Sequence, residues 1–452
     1  MPFPKDFIWG AATAAYQIEG NTSIDGRGPS IWDEYCSQPG RVAGGQSGAV
    51  ACDHYRRYLD DVALMSDMGL GAYRFSVAWP RVLPDGRGAV NAAGLGFYDR
   101  LVDSLLGAGI EPWLTLFHWD YPLALYRQGG WLNPDSPLWF ADYVGVVVDR
   151  LSDRVTRWIT LNEPQCFVGL GQLAGTQAPG DRLPMGQALL AAHHALVAHG
   201  MAVQVIRSRA RRAPSIGIAH TGEVGIPASE SREDIEAARQ YHWRVAADSL
   251  FNLAWWTDPM FKGHYPEDGQ RAYGDAVPRF PNADLATISE PLDFLGLNVY
   301  YGNTIRRGVS GAAEMVAPKP GDPRTHYGWP VTPSALRWGP LFAHERYGAT
   351  IAITESGMAN LDWLALDGGV HDTQRIDYLA RYLGELRRAI ESGVPVTAYF
   401  AWSLMDNFEW SDGYNFRFGL VHVDYATQRR TPKDSALWYR DYIRAAGDLQ
   451  GP

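Results

Sequence analysis

Short apolar runs alternate along the chain with longer segments in which apolar residues recur every three or four positions. The short runs have the length and residue types of buried strands, and the longer segments have the period of helices with one apolar face. We predict eight strands, at residues 7–15, 72–79, 111–118, 157–163, 215–220, 293–300, 350–355 and 396–403. We predict helices between them at residues 55–68, 94–106, 136–151, 185–207, 235–250 and 373–391.

Eight strands that alternate with helices predict an α/β fold, a single closed (β/α)8 TIM barrel. Because no linker, internal repeat or low-complexity tract interrupts the pattern, we predict one domain over residues 1–452. In such a barrel the functional site lies at the C-terminal ends of the strands. Long irregular pieces at residues 21–48, 165–184 and 304–333 follow strand ends, and we expect them to wall the barrel mouth.

Composition narrows the classes of function. The formal net charge of −10 gives no basic stripe for nucleic acid or an anionic membrane surface, so we expect neither as a partner. No uninterrupted apolar run reaches membrane-spanning length, and the N-terminal segment does not resemble a signal peptide. Cys36, Cys52 and Cys166 are an odd set without CxxC spacing, as expected of free thiols in a reducing compartment. We therefore expect a cytoplasmic protein.

Tryptophan is abundant, with 17 residues, and aromatic residues make up 12% of the chain. Core packing explains most of these side chains. The alternative is that some indole rings stack on the apolar faces of sugar rings, so that a pocket rich in tryptophan binds carbohydrate. Composition alone leaves both open.

Two glutamates end predicted strands. Glu163 follows the run in ITLNEP, and Glu355 follows the run in ITESG. Each alone is more often a structural ion-pair partner, but strand ends of one barrel converge on one mouth. Two facing carboxylates can cleave a glycosidic bond, with retention of configuration at a short separation and inversion at a longer one. Arg74 in the second strand could keep one glutamate ionised, or it could form a purely structural salt bridge.

From FIWGAATAAYQIEG to FGLVHVDY the chain resembles the β-glucosidases of glycoside hydrolase family 1. The resemblance implies that Glu163 in TLNEP is the acid/base and that Asn162 holds the sugar 2-hydroxyl. It implies that Glu355 in ITESG is the nucleophile of a double displacement through a covalent glycosyl-enzyme. Asn298 and Tyr300 in GLNVYY match as supporting residues, with the Tyr300 hydroxyl bonded to the nucleophile.

The same resemblance implies two groups of substrate-binding residues. The first binds the glucosyl ring, here called the glycone side: Gln17, His118, Trp119, Trp402, Glu409, Trp410 and Phe418. The second faces the leaving group, here called the aglycone side: Trp329, Cys166, Gln177 and Leu170. The expected substrate is a small β-glucoside or cello-oligosaccharide, as in cellulose degradation, with galactosides or fucosides tolerated.

Some positions depart from the family pattern. Ser356 replaces the usual Asn after the nucleophile, Gln165 stands where Trp often follows NEP, Gln177 stands where His is common, and HTGE at 220–223 is unusual. These departures put the choice of substrate in doubt more than bond cleavage. A transglycosidase, a 6-phospho-β-glycosidase and a non-catalytic sugar-binding barrel remain as alternatives, although Glu409 would repel a phosphate.

We expect no cofactor and no metal. His193, His194 and His199 are not spaced to share one helix face as in HExxH, and GLGQLAG at 169–175 is not a dinucleotide-binding fingerprint. A homo-oligomer is compatible with the sequence, which does not reveal the oligomeric state.

Overall fold

The computed structural model describes residues 3–448. Its strands, in chain order, are β1 Ile8–Ala12, β2 Ala72–Ser76, β3 Glu111–Phe117, β4 Arg157–Asn162, β5 Ser215–Thr221, β6 Val224–Pro227, β7 Phe294–Asn298, β8 Gly302–Arg307, β9 Ala313–Met315, β10 Ile351–Ser356, β11 Val396–Trp402, β12 Val421–Asp424 and β13 Arg429–Pro432.

The α-helices are α1 Ala15–Ile18, α2 Ile31–Ser37, α3 His54–Asp67, α4 Trp79–Val82, α5 Ala92–Gly107, α6 Leu123–Tyr126, α7 Ser136–Leu151, α8 Met185–Arg209, α9 Arg232–Trp243, α10 Ala254–Lys262, α11 Glu267–Tyr273, α12 Asn282–Ile288, α13 Ala335–Tyr347, α14 Thr373–Glu391 and α15 Asp434–Asp448. A π-helix spans Gln165–Ala174, and 3₁₀ turns span Ala43–Gly45, Gly130–Leu132, Gly274–Ala276 and Trp410–Asp412.

Eight parallel strands close into a barrel in the order β1, β11, β10, β7, β5, β4, β3, β2. Every predicted strand contributes one barrel strand, and helices connect them, so the predicted (β/α)8 fold is confirmed. The barrel core is tightly packed: a Cβ atom at Gly10 on β1 would lie 2.6 Å from the Phe400 ring on β11. One domain over residues 1–452 stays a prediction.

Two small sheets lie outside the barrel. One contains β6, β8 and β9, and the other is the antiparallel pair β12 and β13. The first occupies part of the segment 304–333, which was wrongly expected to be wholly irregular. The other two irregular predictions were also wrong in part, because α2 lies within 21–48 and the π-helix begins 165–184. A capping box between Ser30 and Asp33 starts α2.

The largest error in the predicted elements concerns the helix at 235–250. Helix α9 ends at Trp243, and Arg244 already has an extended backbone. Residues 244–253 form a non-helical segment instead, in which Leu250 is fully buried. Leu250 and Phe251 lie against Gly169 of the π-helix. This tertiary contact outweighs the helical tendency of the local sequence.

Helix α8 is long and apolar enough to cross a membrane by length and composition. Core helices of soluble proteins have the same properties, and 67% of its most apolar window is buried inside the protein. Helix α8 packs against α7 and lies over β4. We interpret it as a core helix.

Candidate active site

A cavity of about 350 Å³ opens at the C-terminal ends of the barrel strands. Its walls are formed by His118, Trp119, Glu163, Cys166, Leu170, Gln177, Thr221, Gly222, Phe251, Asn298, Tyr300, Tyr301, Tyr327, Trp329, Glu355, Trp402, Glu409, Trp410 and Phe418. Both strand-end glutamates line this cavity, as predicted from their positions in the sequence.

Glu163 directly follows β4 and has a φ angle of 46°, in the left-handed region that non-glycine residues seldom adopt. Its backbone N–H donates to Ala219 on the neighbouring strand β5, at 2.8 Å. Two other cavity residues, Trp119 and Trp410, also have positive φ angles, of 81° and 50°. Such strained conformations tend to cluster at functional sites, where the surrounding structure holds them in place.

Glu355 lies near the end of β10 and is held by two donors. Arg74 on β2 donates from Nη1 to Glu355 Oε1 at 2.7 Å, and the Tyr300 hydroxyl donates to Oε2 at 2.6 Å. The ion pair is buried, since its side chains are 1% and 4% exposed. The segment ITESG at 353–357 also needs its final glycine, because a Cβ atom at Gly357 would lie 1.8 Å from the carbonyl oxygen of Trp402.

A buried amide network joins the two glutamates. Arg74 Nη2 donates to Asn162 Oδ1 at 2.5 Å, and Asn298 Nδ2 donates to Glu163 Oε1 at 2.8 Å and to Asn162 Oδ1 at 3.1 Å. The Asn298 side chain also interacts with Glu355, whose charged form it favours. Asn298 bonds Glu163 and Arg74 bonds Glu355, and both donate to Asn162, so the two carboxylates belong to one network.

The environments of the glutamates separate their protonation states. Burial and the charge of Glu355 raise the pKa of Glu163 to about 8. Burial also raises the pKa of Glu355, but Arg74 and the Tyr300 hydroxyl oppose that rise. Near neutral pH the proton of the pair therefore resides on Glu163, and Glu355 is the anion.

Cys166 lies one helical turn after Glu163, and its thiol donates to Glu163 Oε2 at 3.3 Å. Burial and the nearby Glu163 carboxylate raise the pKa of the thiol well above its ordinary value. Cys166 is therefore a neutral donor to the carboxylate and not a reactive thiolate. Cys36, Cys52 and Cys166 are all free.

Glu409 is the third carboxyl group of the cavity wall. Burial and the nearby Asp412 raise its pKa to about 8. Gln17 lies behind it, fully buried, and donates from Nε2 to Asn407 Oδ1 at 2.9 Å and towards Glu409 Oε2 at 3.5 Å. Gln17, Arg74 and Asn162 do not line the cavity themselves.

Aromatic rings surround the same end of the cavity. The Trp119 and Trp410 rings lie 4.4 Å apart, and His118 lies nearly parallel to Trp402, at 6.0 Å and 24°. His118 Nε2 is 3.0 Å from the Asn162 amide nitrogen and can accept its proton. Phe418 closes one wall, as expected.

Trp329 lies in a second aromatic group, with ring centroids 4.4 Å from Tyr327, 5.2 Å from Tyr300 and 5.4 Å from Tyr301. Leu170, Gln177 and Cys166 also line the cavity, so the structure brings together all residues predicted for the aglycone side.

Sequence reasoning missed five wall residues: Thr221, Gly222, Phe251, Tyr301 and Tyr327. Thr221 and Gly222 belong to the unusual HTGE segment, and Tyr301 and Tyr327 are close to matched motifs, so each had a local signal. Phe251 had no such signal. The sequence predicted a helix up to residue 250, whereas helix α9 ends at Trp243.

The family model described as glycosyl hydrolase family 1 matches residues 1–448.

The chain belongs to glycosyl hydrolase family 1.

It is therefore a glycoside hydrolase. The chain is 43% identical to β-glucosidase A of Thermotoga maritima over 446 residues, covering 98% of each protein. It is 46% identical to a β-glucosidase of Agrobacterium sp. over 442 residues, covering 97% of this chain and 94% of the relative.

A solved structure of the Thermotoga maritima β-glucosidase in complex with glucoimidazole superposes with a TM-score of 0.91 at 42% identity, covering 99% of each chain. The complex of the same enzyme with deoxynojirimycin gives a TM-score of 0.90 at the same identity and coverage.

The three clustered histidines of this family 1 hydrolase do not converge on one point. His193 contacts Tyr265 and Asp284, His194 lies near the Trp131 carbonyl, and His199 bonds Thr160 on β4. They lie on α8, as predicted. Among residues 3–448, no group of three or more His, Cys, Asp or Glu side chains is arranged to hold a metal ion.

Proposed function

We propose that this family 1 hydrolase is a retaining β-glucosidase that releases terminal β-D-glucosyl residues from small β-glucosides and cello-oligosaccharides. The observation that carries the proposal is that Glu163 and Glu355 line one cavity, with Arg74 and the Tyr300 hydroxyl bonded to Glu355. The names of the β-glucosidase relatives support this choice of sugar.

In the first step Glu163 donates its proton to the glycosidic oxygen while a Glu355 carboxylate oxygen attacks the anomeric carbon. The bond to the leaving group breaks, and an ester forms between the sugar and Glu355. Arg74 and Tyr300 keep Glu355 ionised for this attack, since both donate to its oxygens. In the second step Glu163 takes a proton from water, which displaces Glu355 from the sugar.

Retention requires the carboxylates to be close, at about 5–5.5 Å, whereas inversion needs about 6.5–9.5 Å to hold a water molecule between them. Asn298 donates to Glu163 at 2.8 Å and pairs with Glu355 on the neighbouring strand. One asparagine beside both glutamates favours the shorter spacing. This contact supports direct attack by Glu355.

The glycone side is assigned to the end of the cavity that contains Glu409 and Trp402. Glu409 offers a carboxyl group to two sugar hydroxyls, with Gln17 behind it as a positioning residue. The Trp402 indole provides an apolar face, and Asn162 is positioned by Arg74 and His118 next to Glu163.

An unphosphorylated sugar is the proposed substrate. Among the described residues that line the cavity there is no Lys or Arg to pair with a phosphate. Arg74 is buried behind the wall and already paired with Glu355. Galactosides and fucosides should be tolerated, because the axial 4-hydroxyl that both sugars carry alters only one or two hydrogen bonds.

The proposal is tested by incubating the protein with a 2-deoxy-2-fluoro-β-glucoside that carries a good leaving group, followed by peptide mass spectrometry. The fluorine slows breakdown of the ester, so one glycosyl group should remain on Glu355. Glu355→Ala should stay unlabelled. A label on another residue, or rapid hydrolysis without any trapped adduct, would contradict the double displacement.

A further inference from the structure

A second cavity, of about 130 Å³, lies next to the aglycone side of the active site. Polar side chains form most of its wall: Glu223, Tyr241, His242, Arg244, Ser249 and Asn252. We call it the Asn252 pocket. Phe251 belongs to the walls of both cavities, and Glu223 follows directly after Gly222 of the active site. The two cavities are therefore neighbours that share Phe251 as a wall residue.

The segment 244–253 that forms the Asn252 pocket is held by specific hydrogen bonds. Asn252 Oδ1 accepts from the Trp255 backbone at 2.9 Å, which fixes it at the start of α10. The Tyr273 hydroxyl donates to the Ser249 carbonyl at 2.8 Å and accepts from Asn252 Nδ2 at 3.2 Å. The pocket is thus formed before any ligand enters, which reduces the entropic cost of binding.

The charges at the pocket wall neutralise each other. Glu223 Oε2 accepts from the Tyr241 hydroxyl at 3.0 Å and from Arg244, whose guanidinium lies 3.5 Å from the centre of the Tyr241 ring. Among residues 3–448, both bonds that Glu223 accepts go to Oε2, so Oε1 can accept a ligand hydroxyl. A neutral, paired wall does not favour a strongly charged ligand.

His242 adds an unsatisfied polar group. The side chain is 3% exposed and lies in the pocket wall, and neither ring nitrogen has a hydrogen-bond partner in the described part of the chain. Burial lowers its pKa to about 3, so the ring is neutral and offers one donor and one acceptor. A buried polar group without a partner is costly, and in this structure both nitrogens lie beneath the surface of the pocket wall.

We propose that the Asn252 pocket binds a sugar ring at the far end of the leaving group when the substrate is an oligosaccharide. Hydroxyl groups both donate and accept, as this mixed wall requires, and Phe251 lines both cavities, so an oligosaccharide can follow it from one to the other. The inference rests on the proposed β-glucosidase function, which it extends to a preference for longer substrates.

The test measures kcat/KM for cellobiose, cellotriose, cellotetraose and cellopentaose, with an aryl β-glucoside as a substrate too short to reach the pocket. Ala246 lines the pocket at its exposed rim, so Ala246→Trp should fill it without disturbing the barrel. The neighbouring Ala247 is exposed and is not part of the wall, which makes Ala247→Trp the matched control.

In the wild type, kcat/KM should rise with chain length by roughly three- to tenfold, the effect of one or two hydrogen bonds. Ala246→Trp should abolish this rise and leave aryl glucoside turnover unchanged, whereas Ala247→Trp should retain both. The inference is wrong if the wild type shows no gain with chain length, or if the two variants behave alike. Absence of aryl glucoside turnover in the wild type would instead refute the proposed function.

Discussion

Gln165 and His220 are hydrogen-bonded to each other beneath the active site, with 2.8 Å between Gln165 Nε2 and His220 Nδ1. Both side chains are fully buried. Burial lowers the pKa of His220 to about 3, so its neutral ring can accept the amide proton. The sequence departs from the family pattern at Gln165 and in the HTGE segment that begins at His220. The two departures therefore contact each other in the barrel interior.

This coupling predicts a specific loss of stability. Gln165→Leu should lower the free energy of unfolding by about 1–3 kcal/mol, because it leaves the buried Nδ1 of His220 without that donor. Urea denaturation of the variant against the wild type measures the change. Thr257, 3.3 Å from the same nitrogen, can replace only part of the lost bond.

The double variant Gln165→Leu/His220→Phe provides the control, since it removes both polar partners. Its loss of stability should be smaller than the sum of the two single losses, with a coupling of about 0.5–3 kcal/mol. Additive losses would show that the two side chains do not stabilise each other.

The barrel strands and the two glutamates could be predicted from the sequence because both depend on local order. A buried strand shows as an apolar run, and a residue at its C-terminal end must reach the mouth of a parallel barrel. The positions of Glu163 and Glu355 follow from that rule alone. Most glycone-side residues came instead from resemblance, since nothing in their own spacing assigns Glu409 or Gln17 to a sugar.

What could not be predicted depends on contacts between distant segments. The helix predicted to reach residue 250 ends at Trp243 because Leu250 and Phe251 pack on Gly169, more than 80 residues earlier in the chain. Phe251 and the Asn252 pocket were missed for the same reason. Cytoplasmic location and a homo-oligomer stay predictions.

The leaving group should decide how strongly Glu163→Gln affects the reaction. Glutamine cannot donate the proton that a poor leaving group needs, so kcat/KM for cellobiose should fall by about 10²–10⁴-fold. A dinitrophenyl glucoside leaves without protonation, and its first step should be nearly unchanged. Steady-state and burst kinetics with both substrates measure the contrast. Equal losses for both would exclude Glu163 as the general acid.

The basic limb of the pH profile of kcat/KM should follow the ionisation of Glu163. The acid must be protonated to act, so activity should be present below pH 8 and fall as the pH rises through about 8, the pKa of Glu163. Cys166→Ala removes a donor that favours the ionised form of Glu163. In that variant the basic limb should move to higher pH, and a move to lower pH would contradict the assigned hydrogen bond.

The raised pKa of Glu163 should also reduce stability. Between pH 4.5 and about 8 the folded protein holds a proton that the unfolded chain has released, so stability from this group falls as the pH rises. The side chain of Glu163→Gln stays neutral at every pH. The variant should therefore become more stable than the wild type across this window, by a free energy of unfolding on the order of 1 kcal/mol or more. Thermal unfolding at several pH values measures it. Glu267→Gln, at a side chain 86% exposed, is the surface control, and an equal trend in both variants would contradict the assignment to Glu163.

Tyr300→Phe separates the positioning of Glu355 from its chemistry. The hydroxyl donates to Glu355 Oε2 at 2.6 Å, and its loss leaves Arg74 as the main donor to that carboxylate. The pKa of Glu355 should rise, so the acid limb of kcat/KM should move to higher pH while the basic limb stays. The loss in kcat should be roughly 10–100-fold, since a charge-assisted hydrogen bond contributes about 1.5–3 kcal/mol. Tyr301→Phe is the matched control, because Tyr301 lines the cavity next to Trp329, and within residues 3–448 it is Tyr300 and not Tyr301 that donates to Glu355. If both variants shift the acid limb equally, Tyr300 acts through packing and not through its hydroxyl.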